Sequence, residues 1–172
     1  MAISNQNITI NYTKGWSTHM PVLIKLFSIT DGPIMEVGSG VYSTPLLHWL
    51  CHPSRRRLVT YEADSDFIKL AKQYQSKNHG VRHIDRYLNI GTKKHFSIIF
   101  IDHGGYLDGE TRGETAVHLK DCADYIVVHD SNVVKGYSYH LLADAFKYYK
   151  DYTAARPWTG VASNFKSLDN LW

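Results

Sequence analysis

Short apolar segments that each end in a polar residue alternate along this 172-residue chain with segments of helical periodicity. Strand-like runs occupy residues 33–37, 57–62, 81–84, 96–102 and 125–129, and helical spacing of apolar residues fills 18–30, 43–51, 64–76, 113–122 and 137–149. Alternation of this kind predicts βαβ units, and therefore an α/β fold of three layers with a mostly parallel sheet. Residues 152–156 and 160–165, around Pro157 and Trp158, predict an antiparallel β-hairpin at the end of the chain.

The length and composition of the chain further restrict the class of protein to which it can belong. We expect one domain over residues 1–172, because 172 residues suffice for one core. Two cysteines cannot form a disulfide framework or a four-thiolate zinc site. The absence of a long apolar run or signal-like start predicts a soluble, cytoplasmic protein without a membrane partner. A net charge of only +3, with scattered basic residues, predicts no nucleic-acid partner.

Ligands of open parallel sheets bind beyond the carboxyl ends of the strands. The polar residues that directly follow each predicted strand are therefore the candidates for a functional site. They are residues 36–43, Glu62, Asp85, the pair Asp102 and His103, and the pair His129 and Asp130.

The first candidate is the segment Glu36-Val-Gly38-Ser-Gly40. Its glycines permit a tight turn and a close backbone approach, and the helix that follows offers free N–H groups to an anion. A dinucleotide fingerprint requires a third glycine where Ser43 stands, which disfavours a nicotinamide-dependent oxidoreductase. An ordinary strand-to-helix turn is the structural alternative for this loop.

Glu62 ends the next predicted strand, 22 residues after Gly40. A carboxylate in this place can accept hydrogen bonds from both hydroxyls of a ribose. The alternative is an exposed charge at a strand end, but the spacing from the glycine loop favours nucleoside binding.

These motifs resemble the class I S-adenosylmethionine-dependent methyltransferases, a family with an acidic-apolar-Gly-x-Gly loop and an acidic residue ending its second strand. Residues 96–102 and 124–130 resemble the fourth and fifth strands of the family, and the resemblance extends over residues 16–165. It implies a Rossmann-like sheet that ends in an antiparallel hairpin. The segment between Asp85 and Phe96 departs from the family, because it is too short for a full helix.

The resemblance also implies S-adenosylmethionine as cofactor and assigns roles by position. Glu36 would lie near the methionine ammonium, Ser43 and Thr44 near its carboxylate, Glu62 at the ribose and Asp85 at the adenine. The predicted cofactor-binding set is Glu36, Gly38, Ser39, Gly40, Ser43, Thr44, Glu62, Asp85, Asp102 and His103.

A last constellation joins Asp102 and His103 to the segment His129-Asp-Ser-Asn132. Neighbouring strand ends would bring Asp102 and Asp130 close, and their repulsion needs a proton or a cation between them. The pattern is similar to that of catechol-type, metal-dependent O-methyltransferases, although Ser131 separates Asp130 from Asn132.

This similarity implies Mg²⁺ held by Asp102, Asp130 and Asn132. Alternatively, His103 or His129 is the general base, or the carboxylates only cap the next helix or loop. The predicted catalytic set is Asp102, His103, His129 and Asp130.

The sequence therefore predicts O-methylation of a small or medium hydroxylated substrate. The alternative is an S-adenosylmethionine-binding protein without transferase activity, such as a regulatory or structural subunit. Because no inserted substrate domain is present, a second copy could complete the pocket, which predicts a homo-oligomer.

The loop over residues 104–114 is either a substrate lid or a solvated loop. His19 either covers the cofactor or is structural.

Overall fold

The computed structural model describes residues 14–104 and 109–172, and in these ranges seven strands form one sheet. The strands are β1 (Ile34–Val37), β2 (Leu58–Glu62), β3 (His79–His83), β4 (Phe96–Ile101), β5 (Ala123–His129), β6 (Tyr148–Tyr152) and β7 (Thr159–Ser163). Their order is β3-β2-β1-β4-β5-β7-β6; β1 to β5 run parallel, and β7 lies antiparallel between β5 and β6. The predicted α/β, Rossmann-like sheet with a terminal antiparallel hairpin is confirmed.

Helices pack on both faces of the sheet. They are α1 (Met20–Ile29), α2 (Ser43–Ser54), α3 (Ser65–Lys72), α4 (Arg112–His118) and α5 (Leu141–Ala145), with 3-10 turns at Lys14–Ser17 and Tyr87–Asn89. The central strand β4 is buried along its whole length: Ile98 and Phe100 enter one apolar cluster, and Ile99 and Ile101 enter the other. The two-residue period of the strand thus supplies both cores from one continuous apolar run.

The helix α2 does not stop before Pro53, as the sequence predicted, but continues to Ser54. It ends where Arg55 adopts a left-handed conformation with φ 54°. The backbone N–H groups of Arg55 and Arg56 then return to the carbonyls of His52 and Cys51, which satisfies the last turn. Pro53 therefore lies inside the last turn of the helix, and the helix ends one residue after it.

The predicted helix over residues 137–149 is wrong over most of its length. Only Leu141–Ala145 is helical, and Tyr148 and Tyr149 already belong to β6, where they pair with Ser163 and Ala162 of β7. The aromatic residues that suggested a helical face suit a strand equally well. The hairpin therefore begins four residues earlier than the sequence predicted.

Part of the predicted lid, residues 105–108, lies outside the described residues, as does the start of the chain up to residue 13. In the two described ranges, no helix combines the length and apolar character that crossing a membrane requires.

Candidate functional site

A cavity of about 330 Å³ opens at the carboxyl ends of β1, β2, β4 and β5. This volume lies in the range of small-molecule sites, about 300–1,000 Å³. The cavity is at the point where the sheet order reverses, because β1 has β2 on one side and β4 on the other. Its lining comprises Trp16, His19, Ser39, Gly40, Val41, Tyr42, Ser43, Glu62, Asp64, Phe67, Asp102, His103, Gly104, Arg112, His129, Asp130 and Tyr137.

The glycine loop follows β1 and contributes Ser39 and Gly40 to the cavity wall, whereas Gly38 is not in the lining. Gly38 has a φ of +87°, and a Cβ there would overlap the backbone of Asp102 and His103. The chain itself therefore requires this glycine, because β1 and the loop after β4 approach too closely for any side chain.

Glu62 ends β2 and forms part of the cavity wall, but protein donors already occupy its buried carboxylate. The backbone N–H and hydroxyl of Ser39 donate to Oε2 at 2.5 and 2.7 Å. The N–H groups of Ala63 and Asp64, both at 2.8 Å, and the Tyr87 hydroxyl at 3.2 Å donate to Oε1. Glu62 thus fixes the glycine loop to β2, and a ribose would have to exchange with a hydroxyl of Ser39 or Tyr87.

Glu36 lies in β1 beneath the glycine loop, fully buried and not in the cavity lining. The hydroxyl of Thr44 donates to both carboxylate oxygens at 3.0 Å, and that of Thr60 donates at 2.6 Å. Burial raises the pKa of Glu36 to about 7, although these donors oppose the shift. Because Thr44 also accepts the Gly40 N–H at 3.0 Å, Glu36 acts on the loop indirectly. Neither Glu36 nor Thr44 is placed for the direct cofactor contact that the resemblance implied.

Asp85 is not brought to the cavity either. Its side chain is 92% exposed, and its Oδ1 lies 3.9 Å from Nδ1 of His83. The predicted contact of Asp85 with an adenine therefore has no support from this arrangement.

Asp102 and Asp130 do meet at the opposite side of the cavity, but Arg112 lies between them. Its Nη2 is 2.9 Å from Asp102 Oδ1 and its Nη1 is 2.8 Å from Asp130 Oδ2. Burial alone would raise the pKa of Asp102, but Arg112 and His129 outweigh it and lower the pKa to about 2. The guanidinium thus relieves the repulsion for which the sequence analysis invoked Mg²⁺.

The predicted Mg²⁺ set does not fit the structure. Asn132 is not in the cavity lining, and its Oδ1 accepts the backbone N–H of Trp158 at 2.8 Å. Asp130 is engaged by Arg112. Arg112 contacts one oxygen of Asp102 and one of Asp130, so each carboxylate keeps its other oxygen, but Asn132 does not reach the cavity as a third ligand.

The two predicted general bases differ in their surroundings. Nδ1 of His129 lies 3.2 Å from Asp102 Oδ2, and its pKa is raised because the carboxylates of Asp102 and Asp130 outweigh burial. His103 stacks on Tyr87 with 4.1 Å between ring centroids, and burial together with Arg112 lowers its pKa to about 4. His129 is therefore the more basic of the two.

His19, which precedes α1, completes this side of the cavity. It is 1% exposed, and neither ring nitrogen has a hydrogen-bond partner among the described residues. Its ring packs on Phe100 and His129, with centroids 4.6 and 4.8 Å away. Burial lowers its pKa to about 3, against the attraction of Asp102, so His19 is neutral.

Sequence reasoning missed Arg112, although a signal was present. Thr111 and Glu114 form a capping box, so Arg112 is the first residue of α4. A cation in the first turn of a helix opposes the helix dipole, which favours a carboxylate partner nearby. Asp102 and Asp130, already predicted at the adjacent strand ends, are those partners.

Neither protein-family models nor curated protein sequences match this chain. Solved structures match its fold at low identity. A Staphylococcus aureus protein provisionally assigned as a caffeoyl-CoA O-methyltransferase superposes with a TM-score of 0.63 at 12% identity, over 90% of this chain and 85% of that chain. The precorrin-6y C5,15-methyltransferase of Geobacter metallireducens GS-15 gives a TM-score of 0.61 at 12% identity, over 88% and 90%.

An S-adenosylmethionine-dependent methyltransferase from Thiobacillus denitrificans, in complex with S-adenosyl-L-homocysteine, gives a TM-score of 0.51 at 12% identity. The match spans 72% of this chain and 51% of that chain. The chain therefore has the class I methyltransferase fold, as the glycine loop and the strand-end acids predicted.

Proposed function

We propose that this protein is an S-adenosylmethionine-dependent methyltransferase that acts on a hydroxyl of a small or medium substrate. One observation carries the proposal: a single cavity joins the glycine loop and Glu62 to the pair Asp102 and His129. The first side suits a nucleoside and the second suits proton removal. The complex of a structural neighbour with S-adenosyl-L-homocysteine supports the choice of cofactor.

The cofactor half of the cavity is formed by Ser39, Gly40, Ser43 and Glu62. Glu62 would accept the ribose hydroxyls, in exchange for the hydroxyl of Ser39 or Tyr87. Ser43 begins α2, and its backbone N–H would face the methionine carboxylate; the N–H groups of Thr44 and Leu46 already donate to Gly40 and Tyr42, and residue 45 is a proline. When bound, the cofactor supplies an electrophilic methyl group on a positively charged sulfur.

The acceptor half carries a net negative charge. Asp102 and Asp130 contribute two negative charges and Arg112 one positive charge, which leaves one negative charge beside the neutral form of His129. A fixed negative charge of this kind attracts a sulfonium and stabilises an imidazolium. With the cofactor bound, the acceptor oxygen would form a bond to the methyl carbon as the carbon–sulfur bond breaks, and the pair His129 and Asp102 would take up the hydroxyl proton.

Calorimetry with S-adenosyl-L-homocysteine, S-adenosylmethionine and NAD tests the cofactor assignment. We expect both sulfur nucleosides to bind and NAD not to bind. Replacing the carboxylate in Glu62→Gln should weaken S-adenosyl-L-homocysteine by about 1.5–3 kcal/mol, because its ribose loses a charged acceptor. Unchanged affinity in a folded variant would contradict the ribose assignment.

Glu110→Gln is the matched control for Glu62. Glu110 is also a buried carboxylate, and it accepts the backbone N–H groups of Tyr87 and Leu88 at 2.7 and 3.3 Å, but it does not line the cavity. Glu110→Gln should leave the affinity for S-adenosyl-L-homocysteine unchanged. A methyl-transfer screen over hydroxylated acceptors then tests catalysis, because a binding protein without transferase activity would bind both nucleosides and methylate nothing.

A further inference from the structure

The hydrogen-bond pattern around His129 determines which of its nitrogens carries a proton. The Thr18 hydroxyl lies 2.8 Å from the carbonyl of Pro157 and 3.1 Å from that of Gly15, so its single hydrogen is donated to a carbonyl. Thr18 Oγ1 must then accept from His129 Nε2, 2.9 Å away. Nε2 therefore bears hydrogen, and Nδ1 faces the Asp102 carboxylate either protonated or as a bare lone pair.

A bare Nδ1 beside a carboxylate is stable only if a cation lies between them. A proton is one such cation, and a metal ion is the other. Two features of the surroundings favour a metal. His19 presents a buried ring whose nitrogens have no hydrogen-bond partner among the described residues, and Asp102 keeps Oδ2 for a ligand because Arg112 binds Oδ1 at 2.9 Å.

The three side chains already have nearly the spacing of a metal site. Asp102 Oδ2 is 3.2 Å from His129 Nδ1 and 3.9 Å from His19 Nδ1, and the three ligand atoms all lie within 4.8 Å of one another. Tetrahedral coordination at about 2.0–2.1 Å needs ligand atoms about 3.4 Å apart. A small inward movement of His19 would reach this spacing.

We propose that His19, Asp102 and His129 form a binding site for a divalent transition-metal ion at the acceptor end of the cavity. Two imidazoles and one carboxylate select zinc, iron(II) or cobalt(II) over magnesium, which prefers oxygen ligands alone. Thr18 holds His129 through the other ring nitrogen, which is how metal-ligating histidines are commonly oriented. The site differs in two of its three ligands from the Asp102, Asp130 and Asn132 set that the sequence suggested.

The charge balance also fits such an ion. Asp102, Asp130 and Arg112 together carry one negative charge, so a divalent ion leaves one positive charge for an anionic oxygen ligand. The ion would lower the pKa of an acceptor hydroxyl bound to it and hold the oxygen toward the methyl group. With the ion bound, His129 and Asp102 act as ligands and the hydroxyl proton leaves to solvent instead of to this pair. This role rests on the proposed function, whereas the binding of the metal does not.

Titration of chelator-treated protein with Co²⁺, followed by visible absorption and calorimetry, tests the site. We expect one equivalent to bind, Zn²⁺ to displace it, and millimolar Mg²⁺ to leave it in place. His19→Ala and Asp102→Asn should each lower the Co²⁺ affinity about 100-fold or more, because even outer-shell changes cost about 10–100-fold.

His95→Ala is the matched control, because His95 forms a histidine–aspartate pair with Asp124 at 3.2 Å on the exposed surface. It should bind Co²⁺ as the unchanged protein does. Circular dichroism establishes that each variant folds, and His19→Gln replaces His19→Ala if the alanine variant does not. The proposal is overturned if no stoichiometric Co²⁺ binds, or if folded variants of His19 and Asp102 bind it unchanged. S-adenosyl-L-homocysteine binding to the metal-free protein reports separately on the proposed function.

Discussion

Carboxylates at the two ends of the cavity are stabilised by different kinds of partner, neutral hydrogen-bond donors at one end and a cation at the other. At the β1–β2 end, Glu36 and Glu62 accept hydrogen bonds from hydroxyls and backbone amides. At the β4–β5 end, Asp102 and Asp130 are paired with the guanidinium of Arg112. Burial raises the pKa of Glu36 to about 7, whereas Arg112 and His129 overcome burial and lower that of Asp102 to about 2.

The difference shows that burial alone does not decide the charge of a carboxyl group. Neutral donors compensate only part of the cost of desolvation, so Glu36 can be protonated near neutral pH. A cation within hydrogen-bond distance reverses the balance, so Asp102 is ionised at neutral pH. The first end therefore suits neutral hydroxyl ligands, and the second suits the cationic partners of a reaction.

The largest effect on stability is expected from Arg112→Met, which removes the cation at the β4–β5 end of the cavity. Two partly buried carboxylates would lose the buried guanidinium between them, and removing one partner of a buried ion pair costs about 3–5 kcal/mol. Urea unfolding measures this loss of stability. Lys69→Met is the control, because Lys69 forms an exposed pair with Asp66 at 2.8 Å and should cost less than about 1 kcal/mol. Equal effects of the two substitutions would show that the pairing of Arg112 with Asp102 and Asp130 contributes no more to stability than an exposed ion pair.

A smaller effect on stability is expected at the β1–β2 end of the cavity, where the contribution of Glu36 depends on pH. Glu36 has a pKa of about 7 in the folded protein and about 4.5 when unfolded, so the folded state binds more protons between these values. Its contribution to stability therefore falls as pH rises from about 4.5 to 7, by on the order of 3 kcal/mol, and is constant above.

The measurement compares urea unfolding of the unchanged protein and Glu36→Gln across this pH range. The difference between the two curves isolates Glu36 from His19, whose lowered pKa gives a slope of opposite sign. Asp85→Asn, an exposed change, should reproduce the slope of the unchanged protein. Parallel curves for Glu36→Gln and the unchanged protein would show that Glu36 stays ionised.

The sequence was sufficient for the fold because each parallel strand has a distinct signature. The continuous apolar run of β4 and the strand-end acids Glu62 and Asp102 mark the sheet and its functional edge. The helix over residues 137–149 was misjudged because tyrosines at helical spacing also suit an edge hairpin. The Mg²⁺ set is not supported because Arg112, which lies between the two aspartates in the sequence but on the separate helix α4, is brought between their side chains only by the tertiary structure.

The sequence also could not show whether a residue near the site points into it. Gly38 suggested a ligand contact, but its neighbours are the backbone of Asp102 and His103. Glu36 was expected at the cofactor and instead supports the glycine loop through Thr44. In both cases the requirement comes from packing within the protein, which has the same sequence signature as ligand binding.

The smallest effect is expected from Asp85→Asn, and it tests how far the bound cofactor extends along the edge of the sheet. Asp85 follows β3 at the edge of the sheet, and its side chain is 92% exposed, outside the cavity lining. If the cofactor occupies the cavity between the glycine loop and Glu62, then Asp85→Asn should change the affinity for S-adenosyl-L-homocysteine by less than about twofold, the range of most surface substitutions. Calorimetry measures the affinity of Asp85→Asn under the same conditions as that of Glu62→Gln, so the contributions of the two acidic residues to binding can be compared directly. A tenfold loss would instead show that the adenine extends past β2 to β3, as the family resemblance implied, and that the bound cofactor contacts more of the sheet edge than the cavity lining indicates.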